Sequence, residues 1–381
     1  MPSLLSSPSF PARPVALALL AAFAAALALL DGSRPHMAVA HSQALSPTAP
    51  DVRQANLRQG GVADPSKPGP YNVGVTRRTL ERESTNTGQP RPMELVIWYP
   101  SSAAADAAVS PELWGVVDAA PARAAGPYPV VVWSHGAESE PWTSTFFTTH
   151  LATHGFVVVA PPHAGTRTND CPDPCDIPRH LELPRTREAI ANRPDEVIAA
   201  REHLAALGAG NDPILGGLVD AERAGVAGHS IGAATAIVAA GIDPRFKALV
   251  AMATVPSAEG LVRQGAARVK VPTMLMGGGR DHLETTLRQR QLYGAFGDVV
   301  KERWLVLLPR AGHLAFQDSC FLPVAGCGPD DLSLETGFRL IDRWATAFML
   351  RYVAGDARYA PLLDPLQADG TEAEVSFGTG A

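Results

Sequence analysis

Gly228-His229-Ser230-Ile231-Gly232 is the only G-x-S-x-G string in the chain. A serine flanked in this way suits nucleophilic catalysis, provided that a positioned base takes its proton. The string follows the apolar segment RAGVAGH and opens the Ala-rich stretch IGAATAIVAA. That is a strand–turn–helix setting, in which a tight turn presents Ser230 at the carboxyl edge of a sheet. The glycines answer a crowding problem, because residues without Cβ let the strand and helix backbones pass close together. The competing reading is a Gly-rich helix cap whose serine serves only the backbone. An acid and then a histidine are expected downstream of such a turn. The segment VPTMLMGGG ends at Gly279 and Arg280-Asp281 follows; WLVLL ends at Leu308 and Pro309 to His313 follow. Asp281 and His313 therefore each stand just beyond an apolar strand, in the required order. His282 is a rival imidazole, although beside Asp281 it would point elsewhere, and Glu284 and Asp318 are rival acids. Acyl transfer also needs N–H donors for an oxyanion. Ile231, at the helix start, supplies one; Ala137 supplies the second, with Gly136 as the fallback, from the loop Ser134-His135-Gly136-Ala137-Glu138. His135, His163 and His229 are read as structural hydrogen-bonding residues, so neither a metal site nor a cofactor is called for. Trp142 is assigned to the substrate pocket, while Phe146 and Phe147 suit either a pocket or a helix core.

The elements that must position these residues are legible as alternating patterns. Strands are expected at 72–80, 93–99, 130–134, 156–160, 225–229, 248–254, 273–276 and 304–308. Helices are expected at 142–153, 193–207, 231–240, 282–293 and 332–352. Runs such as VVVW and FVVVA are apolar throughout, which predicts burial on both sheet faces. Strands alternating with helices predict an α/β fold: one mostly parallel sheet of about eight strands with helices on both faces. Residues 161–187, rich in Pro, Asp and Arg, read as an insertion over one end of the sheet.

The chain has 381 residues, 46% hydrophobic and 18% charged, with 32 Lys and Arg against 38 Asp and Glu. A formal charge of −6 argues against a nucleic-acid partner, and the apolar fraction argues against wholesale disorder. Val15 to Leu30 is an unbroken apolar run preceded by Arg13 and followed by Ala38-Val39-Ala40. As a helix it would reach about 24 Å, short of the hydrocarbon core of a bilayer. This layout predicts a secretory signal peptide over residues 1–40, with no stable membrane insertion after its cleavage; an uncleaved anchor is the competing reading. Residues 41–70 then form an irregular arm, 71–355 the catalytic domain and 356–381 a tail. In an exported chain, Cys171, Cys175, Cys320 and Cys327 suggest disulfides, with the two local pairings preferred. The second pair would brace the loop that carries His313.

The blocks GVTRRTLERE, MELVIWYPSS, PYPVVVWSHG, NRPDEVIAAREHL and DAERAGVAGHSIGAATA, with the Asp281 and His313 loops, carry a family resemblance. From Tyr71 to Tyr352 the chain resembles α/β-hydrolases of the platelet-activating-factor acetylhydrolase and predicted dienelactone hydrolase type. It is also similar to bacterial polyester hydrolases and cutinases. The resemblance implies a single-domain serine hydrolase, a triad at Ser230, Asp281 and His313, and oxyanion donors at Ile231 and Ala137. True dienelactone hydrolases use a cysteine nucleophile, and Ser230 stands in its place here. The expected function is an exported carboxylic-ester hydrolase acting through an acyl-enzyme on short-acyl, lipid or polyester-like esters. Its rate should fall in acid as His313 protonates. A catalytically silent binding protein on the same fold, or a peptidase or amidase with the same triad, are the alternatives.

Overall fold

The structure is a computed structural model describing residues 62–171, 176–255, 259–297, 300, 302–319 and 326–379. The expected leader and most of the arm lie outside the described residues. Ten strands form one sheet: β1 (Asn72–Leu80), β2 (Met93–Ser101), β3 (Val116–Val117), β4 (Tyr128–Ser134), β5 (Val157–Ala160), β6 (Val219–His229), β7 (Phe246–Met252), β8 (Thr273–Gly278), β9 (Glu302–Leu308) and β10 (Glu374–Thr379). Their spatial order is β10-β9-β8-β7-β6-β4-β5-β2-β1-β3. From β5 through β9 neighbouring strands run parallel; β2 against β5, β1 against β2 and β10 against β9 are antiparallel.

The expected count of about eight strands is corrected to ten. The two extra strands carry weak signals for physical reasons. β3 has two residues, too few to show a period. β10, EVSFGT, is a half-exposed edge strand, so little of it needs to be apolar. It lies within the segment assigned to a tail and pairs with β9 from Glu374↔Leu307 to Thr379↔Glu302. Its Phe377 ring stands 4.6 Å from the ring of Trp304.

Helices are α1 (Thr145–Thr153), α2 (Ile177–Glu182), α3 (Pro184–Ala209), α4 (Ile231–Ile242), α5 (Glu259–Ala266), α6 (Thr286–Ala295) and α7 (Leu334–Tyr352). Side chains alternate across each strand, so β4 sends Val131 and Trp133 to one face and Val130 and Val132 to the other. The first face is covered by α1 and α7 through Phe147, Leu151, Trp344 and Phe348. The second is covered by α3 and α4 through Val197, Leu204, Ala233 and Ile237. Burial of each such aliphatic side chain stabilises the fold by roughly 1.5–3 kcal/mol. This double burial is why the central strands are apolar throughout.

The two faces matter for the site. β4 leads into α1 on one face, while its sheet neighbour β6 leads into α4 on the other. Where adjacent parallel strands send their chains to opposite faces, a crevice opens at their carboxyl ends. Among the described residues no helix is long and apolar enough to cross a membrane.

Candidate active site

Ser230 occupies the single-residue turn between β6 and α4, with φ 60° and ψ −123°. A non-glycine residue holds such angles only where its surroundings enforce them. The enforcement is visible on both sides. A Cβ on Gly228 would stand 2.3 Å from the Gly232 carbonyl oxygen, and one on Gly232 would stand 1.9 Å from that of Ser134. The Ser230 N–H donates to Met252 O of β7 at 2.9 Å, which fixes the turn to the next strand.

Asp281 and His313 come from the loops after β8 and β9. These loops abut because the residues between them are glycines: a Cβ on Gly278 would lie 2.2 Å from Ala311 O, and one on Gly279 2.3 Å from Pro309 O. His313 Nδ1 lies 2.8 Å from Asp281 Oδ2, and His313 Nε2 lies 2.9 Å from Ser230 Oγ. All three residues are buried. The second Asp281 oxygen accepts from the N–H groups of Leu283 and Glu284 at 2.8 and 2.9 Å, so the carboxylate cannot swing away. This wrapped turn also explains why α6 begins at Thr286, capped by Thr285, rather than at His282. His282 is exposed on the same turn. Glu284 offers its backbone to Asp281, and Asp318 caps α1 instead, accepting from Thr145 N and Phe146 N at 2.7 and 2.8 Å.

The loop after β4 lies against the first turn of α4, as the Gly232–Ser134 approach requires. Its Glu138 N–H is committed to Thr166 O at 2.8 Å. Four of the six non-glycine residues at positive φ among the described residues gather at this rim, Glu138 after β4, His163 after β5, Ser230 after β6 and Ala253 after β7; the other two, Trp114 and Asp118, flank β3. Backbone strain is thus concentrated at the carboxyl ends of four adjacent strands.

Beneath the loop is a network that the sequence reading left undeveloped. Ser134 Oγ donates to His163 Nε2 at 2.9 Å, and His163 Nδ1 donates to Glu196 Oε2 at 2.5 Å. Arg91 Nε reaches the other Glu196 oxygen at 2.5 Å, and Arg193 donates to His135 O and to Thr166 Oγ1. Burial, reinforced by the neighbouring guanidinium groups, holds His163 well below the usual imidazole range; burial pushes Arg193 down to about 9. Ser134 has no exposed surface, so this second Ser–His–acid row is closed to substrate. One signal for it was present: Arg193 and Glu196 lie on the same helical face as Val197, Ala200 and Leu204, where charge is out of place unless it is paired.

Trp142 turns its ring to the Arg77 guanidinium at 5.4 Å and flanks the core that contains Phe146 and Phe147. Phe146 stacks on Phe338 at 4.1 Å, the core option for that residue. No cysteine is free among the described residues, and Cys175 and Cys320 lie outside them. No group of three or more His, Cys, Asp or Glu suited to a metal ion occurs among the described residues.

A family profile described as PETase: PET hydrolase-like matches residues 115–379. No curated protein matches the chain. Among solved structures, a ferulic acid esterase from Streptomyces cinnamoneus aligns with TM-score 0.60 and 24% sequence identity, covering 81% of this chain and 96% of that one. At that identity the likeness is one of fold.

Proposed function

The chain belongs to the PET hydrolase-like family of α/β-hydrolases and is a carboxylic-ester hydrolase, and on that basis we propose that Ser230 is its nucleophile. The observation that carries this reading is the buried row Ser230 Oγ–His313 Nε2 at 2.9 Å and His313 Nδ1–Asp281 Oδ2 at 2.8 Å. As the serine oxygen bonds to the ester carbonyl carbon, its proton passes to His313 Nε2, and Asp281 stabilises the imidazolium. The carbonyl oxygen becomes an oxyanion received by the N–H groups of Ile231 and Ala137. The Ser230 N–H faces Met252 and the Glu138 N–H faces Thr166, which supports Ile231 and Ala137 as the donors. Collapse of the intermediate breaks the C–O bond, and His313 returns its proton to the departing alcohol. Water then repeats the sequence on the acyl-enzyme, releasing the acid and restoring Ser230.

The substrates are short-acyl or polyester-like esters, and Trp142 contributes to the substrate pocket. The protein is exported through its leader, and Cys171–Cys175 and Cys320–Cys327 are its bridges. The decisive experiment compares the parent with Ser230→Ala on p-nitrophenyl esters of increasing acyl length, a hydroxycinnamoyl ester and a PET film. The expected result is a loss of kcat of at least about 10³-fold on every ester, with no fluorophosphonate labelling of the variant. Near-full activity in Ser230→Ala would overturn the reading.

A further inference from the structure

A chain of buried hydrogen bonds joins the loop of His313 to the loop of Ala137, and no step of the mechanism uses it. His229 Nε2 donates to the His313 carbonyl at 3.0 Å. Its other nitrogen, Nδ1, therefore accepts in the neutral ring, and Gln317 Nε2 faces it at 3.4 Å. The same Gln317 amide donates its second hydrogen to Ser139 Oγ at 3.2 Å, and Ser139 Oγ donates to the Ala137 carbonyl at 3.1 Å. Every donor has one acceptor, and the chain closes without an orphan group. His229, Ser139 and Gln317 are all buried, and burial holds the His229 imidazole well below its usual range, so the ring stays neutral.

A second observation points the same way. The missing Cβ of Gly136 faces this chain: it would stand 3.3 Å from His229 Nδ1, 3.5 Å from Gln317 Nε2 and 3.5 Å from Ser139 Oγ. An added Cβ would meet Gln317 and Ser139 at ordinary contact distance and press slightly on His229, so the loop beside Ala137 runs close along all three side chains. The rings of His229 and His313 are also packed with centroids 4.9 Å apart.

We propose that His229, Gln317 and Ser139 are positioning residues, a relay that holds the base loop and the oxyanion loop in one register. The proposal rests on the roles given above to His313 and Ala137. The relay's hydrogen bonds reach only the backbone carbonyls of those two residues, and its one side-chain contact with them is the ring packing of His229 on His313, so its effect is on where the reacting groups stand. Small displacements of that kind cost rate in the transition state more than they cost ground-state binding.

The test uses Ser139→Ala, Gln317→Met and their double variant in the full mature chain, normalised by fluorophosphonate titration of reactive Ser230. Each single variant should lower kcat about tenfold and leave KM within about twofold. Affinity for a tetrahedral boronate should fall in parallel with kcat. Because either change interrupts the same chain, the double variant should be little worse than the deeper single one. Unchanged kcat in both single variants, or losses that multiply in the double variant, would overturn the relay. So would a loss that disappears on titration, since that reports only unfolded protein. Ser230→Ala is run alongside: if it is inactive while the relay variants behave as the parent, only the relay falls; if it is active, both readings fall.

Discussion

Ser230 is held at φ 60° by its neighbours, and the neighbour that matters most is an absent atom. A Cβ on Gly232 would meet the carbonyl oxygen of Ser134 at 1.9 Å, in the last residue of β4. Gly232→Ala must therefore push the β4 loop away from the start of α4, and the loop carries Ala137. The expected result is a fall in kcat/KM of about 10²-fold or more on a p-nitrophenyl ester, with a lowered Tm. Gly294 in α6 is the matched contrast, because nothing lies within 4 Å of its added Cβ. Gly294→Ala should leave kcat/KM unchanged and stabilise the fold by about 0.4–1 kcal/mol in chemical denaturation. At this scale the sequence was informative where chemistry constrains residue type, as in the G-x-S-x-G string. It was silent on Gln317 and Ser139, whose contacts cross 178 residues of chain and leave no local pattern.

Helix α1 shows how an element can be completed from far away. Its N-cap residue Ser144 makes no side-chain cap; the Asp318 carboxylate accepts from Thr145 N, Thr145 Oγ1 and Phe146 N instead. Burial pushes the Asp318 carboxyl up to about 6, against the partial relief of those three donors. The Asp342 carboxyl, raised well above the usual carboxylate range by burial and by Asp318, lies 3.5 Å from His150, itself pushed down to about 3 by burial. A folded-state value raised above 3.8 means that the fold favours the neutral carboxyl. The associated stability is fully present below pH 3.8 and is lost as pH rises through about 6. In Asp318→Asn that titration is gone. The stability of the parent relative to the variant should fall by on the order of 2–3 kcal/mol between pH 4 and pH 7, read by denaturant melts. A difference independent of pH would refute the assignment. The central strands and α4 were readable because they are buried on both faces or patterned by one, whereas β10 and the true start of α6 depend on partners elsewhere in the chain.

On the scale of the molecule, the proposed leader and the proposed cysteine bridges make one joint prediction. Gly326, with φ 83°, packs so closely that its Cβ would lie 2.2 Å from Gly312 Cα, next to His313. Cys327 follows it directly, so a bridge there would hold the histidine loop from outside. The exported protein should begin near His41 by intact mass and take up no alkylating label without reduction; reduction should lower its esterase rate. Free thiols, or full activity after reduction, would exclude the bracing role. Burial also leaves its mark on how the whole molecule responds to acid. His135, His150, His154, His163, His203 and His229, six of the 11 histidines, are lowered below the usual imidazole value, chiefly by desolvation. Those six rings resist protonation in the fold but accept it once exposed, so through them acid draws the equilibrium toward the unfolded chain.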